Sequence, residues 1–232
     1  QHFTDRRQRQ MCIRDRDREP IQLEVLANQF LILNSQEDPS HSGLARRLAD
    51  TNHLIPVTRP RKPIFGVMAR NAAQIMALDL LLDDEVSLVT LLGSAGTGKT
   101  LLALAAGMHT VFKEERFDKL LAARPIMPLG RDIGYLPGDT DEKLAMWMQP
   151  IFDNVEFLMG LSNAEKKGGR SYRELIDLGI LQIEPLTYIR GRSIPAQFMV
   201  VDEAQNLTPH EVKTIVSRAG EGTKIVLTGD PY

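Results

Sequence analysis

From residue 71 onward, apolar positions alternate between helical spacing and short continuous runs. Apolar side chains recur at helical spacing between Ala72 and Leu82, which predicts an amphipathic helix. Residues 86–92 follow as a β-branched, apolar run of buried-strand length, and residues 101–115 predict a second helix. Shorter apolar runs predict further strands at residues 119–123, 180–184, 198–201 and 224–228.

Local signals mark three more helices between these strands. We expect a helix from about residue 140 to residue 159, bent or broken at Pro150, because proline cannot donate the helical hydrogen bond. A capping box at residues 171–174 opens a short helix that Gly179 closes, and a second box at residues 208–211 opens a helix that Gly220 ends. Strands that alternate with helices predict an α/β fold with a parallel sheet and helices on both faces.

Hydrophobic patterning is weak before residue 70. Apolar residues between Leu23 and Ile32 predict one or two short strands, and residues 36–43 predict a loop. Three prolines and the basic residues between them predict a stiff connector over residues 56–63, either a plain linker or a contact for nucleic acid. We therefore divide the chain into residues 1–18, a linker or small β-containing segment at residues 19–69, and a main domain at residues 70–232.

Charge is distributed unevenly behind a formal net charge of −2. Residues 1–18 hold six arginines and three aspartates, which leaves 22 basic and 27 acidic residues in the remainder. Because residues 19–232 are mildly acidic, they do not bind nucleic acid by bulk charge, and any contact with nucleic acid must be local. Residues 11–16 also resemble a translated sequencing-library adaptor, so we regard residues 1–18 as non-native rather than as a basic RNA-binding arm.

Cysteine content and apolar run length exclude a fold held by internal disulfides and a protein that spans a membrane. The single Cys12 cannot form an internal disulfide, and no apolar run approaches the roughly 20 residues of a membrane span. These observations predict no membrane partner and favour the cytoplasm. Because the chain lacks an initiator methionine and stops just after a strand-like run, we expect a fragment at both ends.

The most specific motif is a glycine-rich loop between the first strand and the second helix of the main domain. It has glycine, four residues and then Gly-Lys-Thr, formed by Gly93, Ser94, Ala95, Gly96, Thr97, Gly98, Lys99 and Thr100. Glycines let backbone N–H groups turn toward a phosphate, and the helix N-terminus adds its dipole. In such a loop Lys99 reaches the β- and γ-phosphate oxygens and the Thr100 hydroxyl ligates Mg²⁺. The motif therefore predicts a site for a nucleoside triphosphate and Mg²⁺.

A pair of carboxylates follows the hydrophobic run at residues 198–201. Asp202 is placed to hold the magnesium shell, and Glu203 to polarise an attacking water as general base. Aspartate followed by glutamate at a strand end is typical of nucleotide hydrolysis rather than transfer to a small acceptor. The plain alternative is a solvated acidic turn.

Further short motifs occur in a fixed order along the main domain. They are Arg124-Pro125, Leu136-Pro137-Gly138-Asp139, Glu142-Lys143, Pro185-Leu186 with Tyr188, Arg190-Gly191-Arg192, Asp202-Glu203-Ala204-Gln205-Asn206 and Thr228-Gly229-Asp230. On these motifs residues 63–232 resemble the PhoH-like family of single-core ATPases, which is similar to superfamily-1 helicases. Residues 131–134 and 147–154 resemble the branch in which a PIN ribonuclease domain precedes the ATPase.

The resemblance implies a P-loop NTPase with a RecA-like parallel sheet, incomplete here at its C-terminus. It further implies ATP hydrolysis with Mg²⁺, a homo-oligomeric ring, and RNA unwinding or remodelling. In similar helicases a glutamine before the phosphate loop recognises adenine, and Gln74 stands at that place, unless it is a plain surface glutamine. The resemblance also implies that Gln205 couples the γ-phosphate to motion and that Asp230 senses hydrolysis.

Several family features are absent from the sequence. No PIN-type acidic cluster precedes Asn71, so we expect that domain to be missing upstream. Without a second RecA-like lobe, an arginine finger would come from a neighbouring subunit, with Arg190, Arg192 and Arg218 as candidates that are otherwise plain surface arginines. No guanine-recognition pattern occurs, which favours ATP over GTP. Two alternatives remain: a P-loop phosphotransferase, and a fragment that binds nucleotide without turnover.

Overall fold

A computed structural model describes residues 25–35, 38, 41–51, 53–126, 140–163, 171–189 and 193–231. The chain divides into two compact units, Gln1–Arg61 with Ala69–Asp79, and Lys62–Met68 with Leu80–Tyr232. Among the described residues, none of the helices combines the length and hydropathy needed to span a membrane.

The first unit contains a three-stranded antiparallel sheet where the sequence predicts only one or two strands. Strands β1 (Phe30–Asn34), β2 (Ser42–Arg47) and β3 (Leu54–Val57) lie in the order β1-β2-β3. Pro56, expected in a connector, lies within β3 opposite Ala45 of β2. Proline is tolerated there because β3 is an edge strand of this sheet, where an N–H can be spared.

Helix α1 (Ala72–Leu81) begins one residue after Asn71, as the helical spacing predicts. Its Asp79 carboxylate lies 2.8 Å from Nε of Arg46, which is only 2% exposed on β2. Arg46 also donates from Nη1 to Oδ1 of Asn28 at 2.8 Å. A buried guanidinium is stable only with such partners, and this contact ties α1 to the small sheet.

The second unit is built on a five-stranded parallel sheet, which confirms the predicted α/β fold. Its strands are β4 (Leu88–Leu92), β5 (Lys119–Arg124), β6 (Leu181–Pro185), β7 (Gln197–Val201) and β8 (Lys224–Gly229). They lie in the order β4-β8-β7-β5-β6. The strand bounds agree with the sequence prediction to within about two residues, because each strand is a short apolar run between polar segments.

Helices cover both faces of this sheet, as predicted. Helix α2 (Lys99–Phe112) packs on β5, β7 and β8, and α3 (Thr140–Asn163) packs on β5 and β6. On the opposite face, Ile215 of α5 (Pro209–Val216) joins a core cluster with Leu121, Met199 and Ile225. A short helix α4 (Tyr172–Asp177) packs on β6 and α3.

The ends of two helices, α3 and α5, differ from the prediction by several residues. Helix α3 is not broken at Pro150 but continues to Asn163, four residues beyond the predicted end. Helix α5 ends at Val216 rather than at Gly220, whose N–H donates to the carbonyl of Ile194 at 3.0 Å. A Cβ at Gly220 would lie 3.0 Å from Cα of Pro195, so the glycine serves a close approach of two chain segments instead of a helix end.

The two predicted capping boxes also differ from each other. At α5 the box is complete, because Thr208 accepts from the Glu211 N–H and the Glu211 carboxylate accepts from the Thr208 N–H. At α4 the Ser171 hydroxyl accepts from the N–H of Arg173, so this cap uses the second helical residue. Gly179 follows α4 with a φ of 71°, as its predicted role requires.

Candidate nucleotide-binding site

The predicted phosphate loop and the carboxylate pair lie at one edge of the parallel sheet. Parallel pairing aligns the carboxyl ends of the strands: Leu92 of β4 lies opposite Gly229 of β8, and Val201 of β7 lies opposite Leu227 of β8. The segments that follow β4, β7 and β8 therefore meet at this edge, which is where open α/β sheets bind ligands.

The phosphate loop, residues 93–100, opens helix α2 with two glycines in the left-handed region. Gly96 has a φ of 76° and Gly98 a φ of 87°, a conformation that disfavours other residues. Gly98 is the N-cap of α2 and has no side chain to cap the first turn. The N–H groups of that turn, with the helix dipole behind them, are thus suited to an anion.

Lys99 lies over the carbonyl groups of its own loop. Its Nζ donates to the carbonyl of Gly93 at 2.6 Å and to the carbonyl of Ser94 at 2.9 Å. The Thr97 hydroxyl donates to the same Ser94 oxygen at 2.9 Å. The ammonium group is therefore held at the loop by partners that phosphate oxygens can replace.

Asp202 joins the phosphate loop to two strands of the sheet. Its Oδ1 accepts from the Thr100 hydroxyl at 2.7 Å and from the Thr228 hydroxyl at 2.7 Å. Its backbone N–H donates to the carbonyl of Ala123 at 2.9 Å. Only 7% of Asp202 is exposed, so these bonds fix its carboxylate within the sheet edge.

The donor atoms at this point fit Mg²⁺. A hydroxyl and one carboxylate are hard oxygen ligands, and Mg²⁺ binds through few protein oxygens plus waters and substrate phosphates. In the described part of the chain, no group of three or more His, Cys, Asp or Glu residues is placed to hold a metal ion. The Thr100 hydroxyl and the Asp202 carboxylate are thus suited to an Mg²⁺ ion whose remaining ligands are waters and phosphate oxygens.

Glu203 holds a strained backbone conformation, and both its carboxylate oxygens are engaged. Its φ of 55° and ψ of 38° place it in the left-handed region, which is costly for a residue with a Cβ. Its Oε1 lies 3.0 Å from Nη2 of Arg124, and its Oε2 accepts from Nε2 of Gln205 at 2.5 Å. The Gln205 amide oxygen accepts from the N–H of Asp230 at 3.1 Å.

These contacts form a network across the ends of three adjacent strands, from Arg124 on β5 through Glu203 and Gln205 to Asp230 after β8. The structure thus brings together Lys99, Thr100, Asp202, Glu203, Gln205 and Asp230 as a connected edge of the sheet. Two participants were missed as site residues by the sequence analysis, Arg124 and Thr228. Each is the polar residue near the end of an otherwise apolar strand, which is the signal that could have identified it.

Other predicted residues have different surroundings. Gln74 lies in the first turn of α1, where its side-chain oxygen accepts from the Arg70 N–H at 2.8 Å. Arg218 lines a pocket of about 370 Å³ between α5 and the 3₁₀ turn Leu186–Ile189. Arg190 and Arg192 lie outside the described residues, as do the motifs at residues 131–134 and 136–139.

The chain is similar to several known proteins whose names include PhoH. The chain is 52% identical over 204 residues to Protein PhoH2 of Bacillus subtilis, an alignment that covers 88% of this chain and 45% of that protein. It is 38% identical over 209 residues to Protein PhoH2 of Mycolicibacterium smegmatis, covering 86% of this chain and 46% of that protein. It is 37% identical over 139 residues to a PhoH-like protein of Bacillus subtilis, covering 60% of this chain and 41% of that protein.

The chain thus spans less than half the length of these curated relatives. The family model described as PhoH-like protein matches residues 66–232, which include the phosphate loop, the carboxylate pair and all five strands of the parallel sheet. Since this match covers most of the chain, the protein belongs to the PhoH family and has its nucleotide-binding P-loop NTPase fold.

Proposed function

We propose that the chain binds ATP with Mg²⁺ and hydrolyses it, and that Lys99, Thr100, Asp202 and Glu203 carry the reaction. The observation that carries the proposal is the 2.7 Å hydrogen bond between the Thr100 hydroxyl and Asp202, residues 102 positions apart in the sequence. A hydrolysing site needs the phosphate loop and a metal-binding carboxylate at one point. A merely flexible glycine turn would not need that contact.

The phosphate loop supplies the binding energy for the triphosphate. The uncapped first turn of α2 and the positive-φ glycines point backbone N–H groups at an anion. Lys99 would exchange the carbonyls of Gly93 and Ser94 for β- and γ-phosphate oxygens. The lysine charge then counters the charge that develops on the phosphates during transfer.

Thr100 and Asp202 are the residues that would hold Mg²⁺. Bound there, the metal would neutralise charge on the β- and γ-phosphates. Thr228 keeps the Asp202 carboxylate oriented through its 2.7 Å hydrogen bond. The metal-binding oxygens are thereby preorganised by the sheet rather than by a mobile loop.

Glu203 is the candidate general base. Its carboxylate would accept a proton from the water that attacks the γ-phosphate, as in other hydrolytic P-loop sites. Gln205, which contacts both Glu203 and Asp230, would couple the γ-phosphate to the end of β8, where Asp230 would sense hydrolysis. The observation that supports these roles is the direct hydrogen bonding between the three residues.

The finer aspects of function rest on the family resemblance. We propose adenine recognition by Gln74, action on RNA, a cytoplasmic location, and assembly into a homo-oligomeric ring in which a neighbouring subunit supplies an arginine finger. We also propose that in the whole protein a PIN nuclease domain precedes this ATPase. Arg218 remains the one finger candidate within the described residues.

The test is phosphate release from ATP, measured with and without single-stranded RNA, by the wild-type chain and by E203Q. We expect Mg²⁺-dependent release that rises with RNA and is lost in E203Q, since removal of the base stops hydrolysis but not binding. Retained binding of a fluorescent ATP analogue by E203Q is the control. Phosphate transfer only in the presence of an acceptor would indicate a kinase, and binding without any release would indicate a nucleotide-binding module.

A further inference from the structure

Arg124 contacts the candidate general base from β5, which lies on the side of β7 away from β4, the strand that the phosphate loop follows. The strand order β4-β8-β7-β5-β6 places β5 and β4 on opposite sides of β7, and Glu203 follows β7. Arg124, the last residue of β5, holds Oε1 of Glu203 at 3.0 Å. The ion pair therefore draws the carboxylate toward β5, while the loop that would hold the γ-phosphate follows β4.

The other oxygen of Glu203 is also engaged in a hydrogen bond. Gln205 donates to Oε2 at 2.5 Å, so each carboxylate oxygen already accepts a hydrogen bond. A general base needs a lone pair directed at the attacking water, and the guanidinium also neutralises the charge that would polarise this water. In this arrangement the ion pair directs the carboxylate toward β5, so it is poorly placed to accept a proton from a water beside the phosphate loop.

Arg124 is also linked to a helix. Its Nη1 lies 3.5 Å from the carbonyl oxygen of Trp147 in α3, a helix that packs on β5 and β6. The side chain of Arg124 is 19% exposed, so its position is set mainly by these protein contacts. The location of the guanidinium therefore depends on how α3 lies on the sheet.

We propose that Arg124 is an inhibitory positioning residue, whose ion pair with Glu203 holds the general base away from the phosphate loop and keeps basal hydrolysis slow. This inference rests on the proposed function, because it requires that the chain hydrolyse ATP through Glu203. It assigns to Arg124 no contact with the nucleotide. Opening of the pair is then a step that precedes proton transfer from water.

The test compares steady-state ATP hydrolysis, without RNA, by the wild-type chain and by R124Q, which removes the charge and the planar fork. We expect kcat to rise about three- to tenfold, with KM for ATP changed less than about twofold, because a partly exposed ion pair contributes up to about one tenfold factor. R124K keeps a cation but cannot contact Glu203 and Trp147 from two separate nitrogens. Its kcat should therefore lie between those of wild type and R124Q.

The matched control is R116Q. Arg116 lies just before the opposite end of β5, is 23% exposed, and pairs with Glu114 at 2.8 Å and with Asp84. Its loss removes an ion pair of similar exposure that has no contact with Glu203, and kcat should stay at the wild-type value. The double variant R124Q/E203Q should show no hydrolysis, which would establish that the gain passes through Glu203.

The outcomes separate the two proposals. If the wild-type chain hydrolyses ATP and E203Q does not, but folded R124Q and R124K are no faster than wild type, the inhibitory role is rejected and the hydrolytic function stands. A fall in kcat for R124Q would instead make Arg124 a residue that the active state needs. If neither wild type nor R124Q hydrolyses ATP that both bind, the hydrolytic function is rejected, and the inhibitory role with it.

Discussion

Thr228 donates its hydroxyl hydrogen to Oδ1 of Asp202 at 2.7 Å from within the parallel sheet. Thr228 is fully buried on β8 and Asp202 follows β7, so the contact joins two adjacent strands next to the candidate metal site. The same oxygen accepts from Thr100. A single carboxylate oxygen thus links the sheet interior to the first turn of α2.

We expect T228V to weaken both the fold and the site. Loss of a buried hydrogen bond to a charged group costs about 1.5–3 kcal/mol in the free energy of unfolding, measurable by urea denaturation. Because Asp202 would lose its orienting donor, the Mg²⁺ concentration for half-maximal ATP turnover should also rise. T228S keeps the hydroxyl, so its Mg²⁺ dependence should match wild type even if the lost methyl lowers stability; an equal shift in both variants would contradict this role.

The sequence predicts the phosphate loop, the carboxylate pair and the strand ends because each is marked by a local signal. Once the strands are known to be parallel, their carboxyl ends must meet at one edge. Lys99 and Asp202 are therefore expected to lie close together. The partners Thr228 and Arg124 depend on strand order, which places β8 beside β4 and β7 although it is last in the described chain. Periodicity along a chain carries no information about that order.

The small sheet was incompletely predicted for a different reason. β2 has the sequence Ser-Gly-Leu-Ala-Arg-Arg, in which Arg46 is buried next to Ala45. An arginine counts as polar in any hydrophobic pattern, so the burial of Arg46 cannot be predicted from the pattern of β2.

 The contact that makes this burial possible is the 2.8 Å ion pair between Arg46 and Asp79, which joins two elements far apart in the sequence and which no local pattern can predict.

We expect R46M to destabilise the small unit. The substitution removes the guanidinium that contacts the Asp79 carboxylate and the Asn28 amide oxygen. Because Asp79 is 27% exposed and water can replace part of the lost contact, we expect a loss of about 2–3 kcal/mol in the free energy of unfolding. The control is R59M, since Arg59 is exposed and its replacement should change stability by less than about 0.5 kcal/mol.

Two glycines in long helices predict opposite effects of the same substitution. A Cβ at Gly107 of α2 would lie 2.7 Å from Cδ1 of Leu120 and 2.9 Å from Cδ1 of Phe198, whereas a Cβ at Gly160 of α3 would meet nothing within 4 Å. G107A should therefore lower the free energy of unfolding by about 1–3 kcal/mol through overpacking. G160A should raise it by about 0.5–1 kcal/mol through helix propensity. Thermal or urea unfolding of both variants measures the difference, and a stabilised G107A would contradict the close packing of α2 on the sheet.

His109, in the last turn of α2, predicts a pH dependence of stability. Burial lowers the pKa of His109 below its usual value of 6.5, and the nearby Lys113 and Arg116 lower it further, while Glu114 acts in the opposite direction. Because the folded state then binds a proton less readily than the unfolded state, the stability present above pH 6.5 is lost progressively as the pH falls below it. In H109Q this group no longer titrates, so urea midpoints measured between pH 7.5 and pH 5.5 should fall less steeply than in wild type. Equal slopes in the two proteins would mean that protonation of His109 is not linked to unfolding.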